Sequence, residues 1–146
     1  MFKAETAVTV QKPVAEVFAF VGEDYVKNHP KWDARSVSTQ MQGPMAKGAT
    51  GVETRKEGPS TRAYNFEVTD FQTNKRMAFT ARGGSTAFAS TWVFEPAGNG
   101  TQVKMNFSLS FGGFMRLFEP LMGRSVKKEM EKSAAKMKEL VEGGKG

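Results

Sequence analysis

The chain contains no cysteine and a single histidine, His29. Disulfides, thiol nucleophiles and cysteine-ligated metals are therefore excluded, and a zinc site would rest almost wholly on carboxylates, so neither a metal nor another cofactor is expected. Isoleucine is absent and leucine occurs only four times. No apolar run approaches the ~20 residues needed to cross a bilayer. The N-terminal MFKAETAVTV alternates instead of forming the apolar core of a secretory leader. These absences point to a soluble cytoplasmic protein without an integral membrane segment. Also missing are a G-x-S-x-G elbow, a phosphate-binding glycine loop and any serine paired in sequence with a base. That removes the common covalent and nucleotide chemistries.

The 146 residues present suit one domain, 1–146, long enough to bury a core without staples. The net charge is +6. Lys127, Lys128, Lys132, Lys136 and Lys138 sit among Glu129, Glu131 and Glu139, as on a solvated helix face. No basic block is interleaved with exposed aromatics, so nucleic acid is not an expected partner. Twelve Phe and nine Met take the place of the missing aliphatics. Both residue types fill irregular space and adapt to apolar ligands, although they also build ordinary cores.

Residues 2–10 alternate, with Ala4, Thr6, Val8 and Val10 on one face, and predict a half-buried strand. Pro13 opens a short helix whose buried stripe is Val14, Val17, Phe18 and Val21, and Gly22 fits just past its end. A second helical turn is expected at Asp24–Asn28, with Pro30 pushing His29 out of helical geometry at a polar surface corner. Strands then follow at 35–41, 50–56, 61–71, 76–82, 86–95 and 101–111, separated by GPMAKG, EGPS, QTNK, GGS and PAGNG. Tyr64, Phe66 and Val68 share a face, as do Met77, Phe79 and Ala81. So do Phe88, Ser90, Trp92 and Phe94, and likewise Val103, Met105, Phe107 and Leu109. A long amphipathic helix with the stripe Phe118, Met122, Val126, Met130, Ala134, Met137 and Val141 covers that face, and Pro120 and Gly123 should kink or break it early. The result is an α+β helix-grip fold, a curved antiparallel sheet of about seven strands wrapped around a long C-terminal helix, with two short helices after strand 1.

The stretches KPVAEVFAFV, EDYVKNHPKWD, EVTDFQTNKRMAFT and TWVFEPAGNGTQVKMNFSL occur in that order before the long helix. Together they resemble the START-like (Bet v 1-like, SRPBCC) superfamily, which includes polyketide cyclase/dehydrase and lipid-transport proteins. Lys12 and Thr73 depart from the usual pattern without touching chemistry. The resemblance implies an internal cavity between sheet and C-terminal helix; it implies no shared catalytic set.

A ligand in such a cavity would meet Tyr64, Phe66, Phe79, Phe88, Ser90, Trp92, Met105 and Phe107 from the strands, and Phe118 and Met122 from the helix. The hydroxyl of Tyr64 or Ser90 is suited to hold a carbonyl, and Arg62, on the same parity, a carboxylate or enolate. Each also has a plain role, Tyr64 and Ser90 as wall and packing, Arg62 as a solvated rim residue. Glu53 and Arg55 share a strand face whose direction the pattern leaves open. Binding of a small or medium hydrophobic molecule (lipid, isoprenoid or polyketide-like) is the leading expectation. An alternative is a cyclase or dehydratase without metal or covalent nucleophile, using Tyr64, Arg62 or His29 for proton movement. A further alternative is a regulatory or interaction module working through the basic helix face. Composition and pattern leave the oligomeric state open.

Overall fold

Alternation of apolar and polar side chains builds seven strands: β1 (Phe2–Val10), β2 (Ser36–Met41), β3 (Thr50–Glu57), β4 (Ser60–Gln72), β5 (Arg76–Gly83), β6 (Thr86–Ala97) and β7 (Gly100–Phe111). The structure, a computed structural model, describes residues 2–112 and 119–143, the side chains of 119–122 excepted. All seven strands pair antiparallel in one sheet, ordered β1-β7-β6-β5-β4-β3-β2, so β1 and β2 are its free edges. Short turns join β2 through β7 as a meander. Between β1 and β2 lie α1 (Val14–Phe18), a wide π-helical turn (Ala19–Glu23) and α2 (Tyr25–Trp32). The long helix α3 (Glu119–Glu142) follows β7. Each strand starts and ends within two residues of the sequence expectation.

Register stacks the apolar positions across the sheet. Val68 faces Phe79, Phe79 faces Ser90, and Ser90 faces Phe107. The neighbouring row is Met77, Trp92 and Met105. This inner face packs on the short helices and on α3, whose Ala134, Met137 and Val141 are buried with Val10, Phe18 and Val103. Phe18 is fully enclosed, edge-on to Phe94 at 5.1 Å and tilted against Phe71 at 5.2 Å. Among the described residues no helix is long and apolar enough to cross a membrane.

Local geometry departs from the sequence expectation at several positions. Gly22 does not end a helix; it sits in the π-helical turn, where a Cβ would press on the Phe18 ring at 3.1 Å. His29 and Pro30 lie inside α2, and His29 is buried instead of standing at a surface corner. Pro30 offers no N–H to the Val26 carbonyl, a local loss for the helix. The compensation is burial: Tyr25, Asn28, His29 and Trp32 follow the i, i+3, i+4, i+7 spacing and are all enclosed. Asn28 Nδ2 also donates to the Phe20 carbonyl at 3.0 Å, tying α2 to the π-helical turn. In α3, Pro120 falls in the first turn, where no helical bond is lost, and the helix runs on through Gly123. Gly123 marks close approach, since a Cβ there would collide with the Phe2 ring of β1. Phe118 and the side chain of Met122 lie outside the described residues.

Candidate functional site

Strand β3 reverses the usual polarity. Its apolar residue, Val52, is 37% exposed, while Glu53 is 5% exposed. The reason lies at the C-terminal end of α2, where His29 and the capping residue Asp33, four positions on, face the inward side of β3. His29 Nδ1 is 3.2 Å from Glu53 Oε1, and Nε2 is 3.2 Å from Asp33 Oδ2. Arg55 Nη1 donates to Glu53 Oε2 and to Asp33 Oδ2, each at 2.8 Å, and Nη2 reaches Asp33 Oδ1 at 3.3 Å. Two cations and two anions thus close a ring between helix and sheet. A buried Glu–Arg pair resolves the orientation that the alternation of β3 had left open.

Burial alone would lower the His29 pKa, but the Asp33 and Glu53 carboxylates beside its ring nitrogens outweigh it and push it up to about 9. Burial likewise works against the charge of Asp33 and Glu53. His29 and then Arg55 more than offset it, holding both carboxylates below their ordinary range. His29 therefore carries its proton at neutral pH, and each of its ring nitrogens faces a carboxylate. It is not placed to act as a general base. Around this ring the hydroxyls of Ser36 and Thr39, register partners of Arg55 and Glu53, are buried without a hydrogen-bond partner among the described residues.

The ring backs onto a small, partly open cavity of about 20 Å³ lined by Tyr25, Glu53, Phe66, Phe79, Phe88 and Ser90. Tyr25 stacks on His29 at 4.5 Å and on Phe79 at 4.8 Å. Burial, then the charges of Glu53 and Asp33, keep its phenol protonated well above the ordinary value. Phe88 packs against Phe107 at 5.6 Å. Phe88, Ser90 and Phe107 all point to the inner face, yet each stays partly accessible. The aromatic floor is thus covered at one end and open at the other.

The candidates named from sequence separate accordingly. Phe66, Phe79, Phe88 and Ser90 line the cavity, and Phe107 extends it. Trp92 and Met105 are buried deeper, with Trp32 edge-on to Trp92 at 6.2 Å. Tyr64 packs on Phe88 at 5.3 Å, and its hydroxyl donates to Glu57 Oε2 at 2.8 Å. Burial and that carboxylate raise its pKa to about 12. Arg62 Nε donates to the other Glu57 oxygen at 2.6 Å, and its side chain is 44% exposed. Tyr64 and Arg62 therefore meet each other through Glu57 and lie outside the cavity wall. Tyr25 is the lining residue that sequence reasoning missed, and Glu53 is one whose direction it left open. The signals were present as the α2 stripe through Tyr25 and His29 and as the shared parity of Glu53 and Arg55.

A broader depression of about 680 Å³ lies on the opposite, outer face of the sheet, among Gln40, Asn65, Glu67, Thr80 and Arg82. It is an open trough of mixed polar and apolar lining that also reaches Phe66 and Phe88, and the buried charges and unpaired hydroxyls lie on the other side. Among the described residues no group of His, Asp and Glu is arranged to hold a metal ion.

A family model described as polyketide cyclase / dehydrase and lipid transport matches residues 1–142. Solved structures share the architecture. The TTHA0849 protein of Thermus thermophilus superposes with a TM-score of 0.80 at 15% identity, covering 99% of each chain. A conserved protein from Geobacillus kaustophilus gives 0.77 at 15% identity, over 95% of this chain and 94% of its own. Ara h 8.0201 gives 0.74 at 17% identity, over 95% and 96%. At these identities the likeness is one of fold, the Bet v 1-like helix grip. No curated protein sequence matches.

Proposed function

The chain belongs to the polyketide cyclase / dehydrase and lipid transport family, and on that premise we propose that it binds a small or medium hydrophobic molecule, a lipid, isoprenoid or polyketide-like compound, against the inner face of the sheet. One observation carries the reading. Phe88 and Phe107 face inward from adjacent strands but remain partly accessible, continuous with the cavity floor of Phe66 and Phe79. An inward aromatic surface that stays partly accessible is suited to an apolar guest. The cavity itself is small, so the guest lies mainly along this ledge. Thermal unfolding across a library of apolar compounds tests the reading, with stabilisation of several degrees expected for binders. Phe88→Ala and Phe107→Ala should abolish the shift. A library without any shift would overturn it.

A second reading, a cyclase or dehydratase, is favoured by two ionisable groups, Tyr25 and Glu53, converging on one cavity. Here Tyr25 is the proton donor to a carbonyl, and positioning supplies most of the rate effect. Turnover of a poly-β-keto compound that disappears in Tyr25→Phe while binding persists would establish it. Turnover unchanged in Tyr25→Phe and Glu53→Gln would end it.

A further inference from the structure

The small cavity has room for one water-sized group, about 20 Å³, and so for one functional group of a ligand and not its skeleton. Its walls divide by chemistry: Phe66, Phe79 and Phe88 are apolar, and Tyr25, Ser90 and Glu53 are polar. Tyr25 is 8% exposed, and neither its hydroxyl nor that of Ser90 has a hydrogen-bond partner among the described residues. Both residues line the same small space, and each hydroxyl is free to donate and to accept there. Glu53 supplies a carboxylate whose oxygens are approached from behind by His29 Nδ1 and Arg55 Nη1. Each carboxylate oxygen has two lone pairs, so acceptor capacity is left for a donor coming from the cavity.

Charge narrows the class further. His29, Arg55, Asp33 and Glu53 sum to zero, so an ammonium group would lose its hydration without a net field to replace it. A carboxylate ligand would meet Glu53 as a like charge. A ketone would accept from the two hydroxyls but leave the acceptor capacity of Glu53 not taken up by His29 and Arg55 unused. A neutral O–H meets all three groups, donating to one and accepting from the others.

Resting on the binding reading above, we propose that this cavity is a head-group socket for a neutral alcohol or phenol, whose O–H donates to Glu53 and accepts from Tyr25 or Ser90 while its hydrocarbon part lies along Phe88 and Phe107. Four ligands on one skeleton test it: 2-naphthol, naphthalene, 2-naphthoate and 2-naphthylmethylammonium, titrated calorimetrically against the full chain at pH 7. Naphthol should bind about tenfold tighter than naphthalene, as expected for a hydrogen bond to a charged acceptor. The naphthoate and the ammonium should bind more weakly than naphthol. Ser90→Ala, which leaves the ion ring whole, should lower the affinity for naphthol relative to naphthalene. Glu53→Gln should shrink the naphthol advantage and admit naphthoate. Naphthol no tighter than naphthalene, or matched by naphthoate or the ammonium, overturns the socket while leaving the hydrophobic-ligand reading in place. Failure of all four to bind removes both.

Discussion

Strands β3 and β4 carry two acid–base groups on one inner face, and the pair makes a controlled comparison. The deep group joins Glu53 and Arg55 to His29 of α2 and Asp33 just past its end; the outer group joins Glu57, Arg62 and Tyr64 beside the β3–β4 turn. Both contain a carboxylate–guanidinium contact, at 2.8 Å for Glu53–Arg55 and 2.6 Å for Glu57–Arg62. Distance would rank the outer one first. Enclosure reverses the order: the Glu53 and Arg55 side chains are 7% and 21% exposed, those of Glu57 and Arg62 33% and 44%. Water screens the outer contact and is kept from the deep one, where removal of any member strands a charge. The Coulomb partner and the wall around it, not the contact length, decide what an ion pair is worth.

The largest expected effect follows from that difference. Glu53→Ala leaves His29 and Arg55 facing Asp33 alone in a buried site and should lower unfolding stability by about 3–5 kcal/mol. Glu57→Ala, at the wetter end of the same strand, should cost far less. Urea denaturation of the two variants side by side measures this, and equal losses would break the comparison.

Next in size is a pH effect confined to the deep group. The His29 pKa is raised in the folded protein from 6.5 to about 9. The folded state therefore holds this proton more tightly than the unfolded chain does. The stabilisation is complete below pH 6.5 and is lost as pH rises through about 9, roughly 3 kcal/mol over that window. Asp33 and Glu53 give the opposite limb. Their folded pKa values are lowered, so their contribution holds above the ordinary carboxylate range and is lost as pH falls through the folded values. Urea midpoints taken from pH 6 to 9.5 should fall, and His29→Gln should flatten the curve. An unchanged slope in His29→Gln would show that another group titrates.

The same comparison explains what the sequence made legible. The sheet, its inward aromatic row and the α3 stripe through Met137 and Val141 were readable because each repeats a period of two or 3.6 over many residues. Tyr64 and Arg62 were readable as neighbours because they share one strand parity. The deep group was not. Its four charges come from two segments well apart in the chain, and the alternation of β3 leaves open which way Glu53 and Arg55 point until Val52 is seen to lie outward. Pro30 misled in the same way. Its local preference for extended geometry before it is overridden by burial of Tyr25, Asn28, His29 and Trp32, a stripe visible only once the proline is allowed inside the helix. Local rules fail here because tertiary charge pairing sets the outcome.

The smallest effect probes the outer group itself. Tyr64→Phe keeps the ring on Phe88 and deletes only the O–H donated to Glu57, a part-buried bond, so stability should fall by about 1 kcal/mol. Arg62→Ala should cost less still, because its contact with Glu57 is open to solvent and its second bond, to the Gly83 carbonyl, is long at 3.3 Å. In either variant Glu57 retains one partner and can turn to water for the other, an option that Glu53 lacks. Because both bonds end on Glu57 the double variant should depart from the sum of the single losses, but only slightly, water standing in for each lost partner. A Tyr64→Phe loss as large as that of Glu53→Ala, or strong coupling between Tyr64 and Arg62, would show that the outer group is as enclosed as the deep one, and the contrast between them would then come from composition and not from burial.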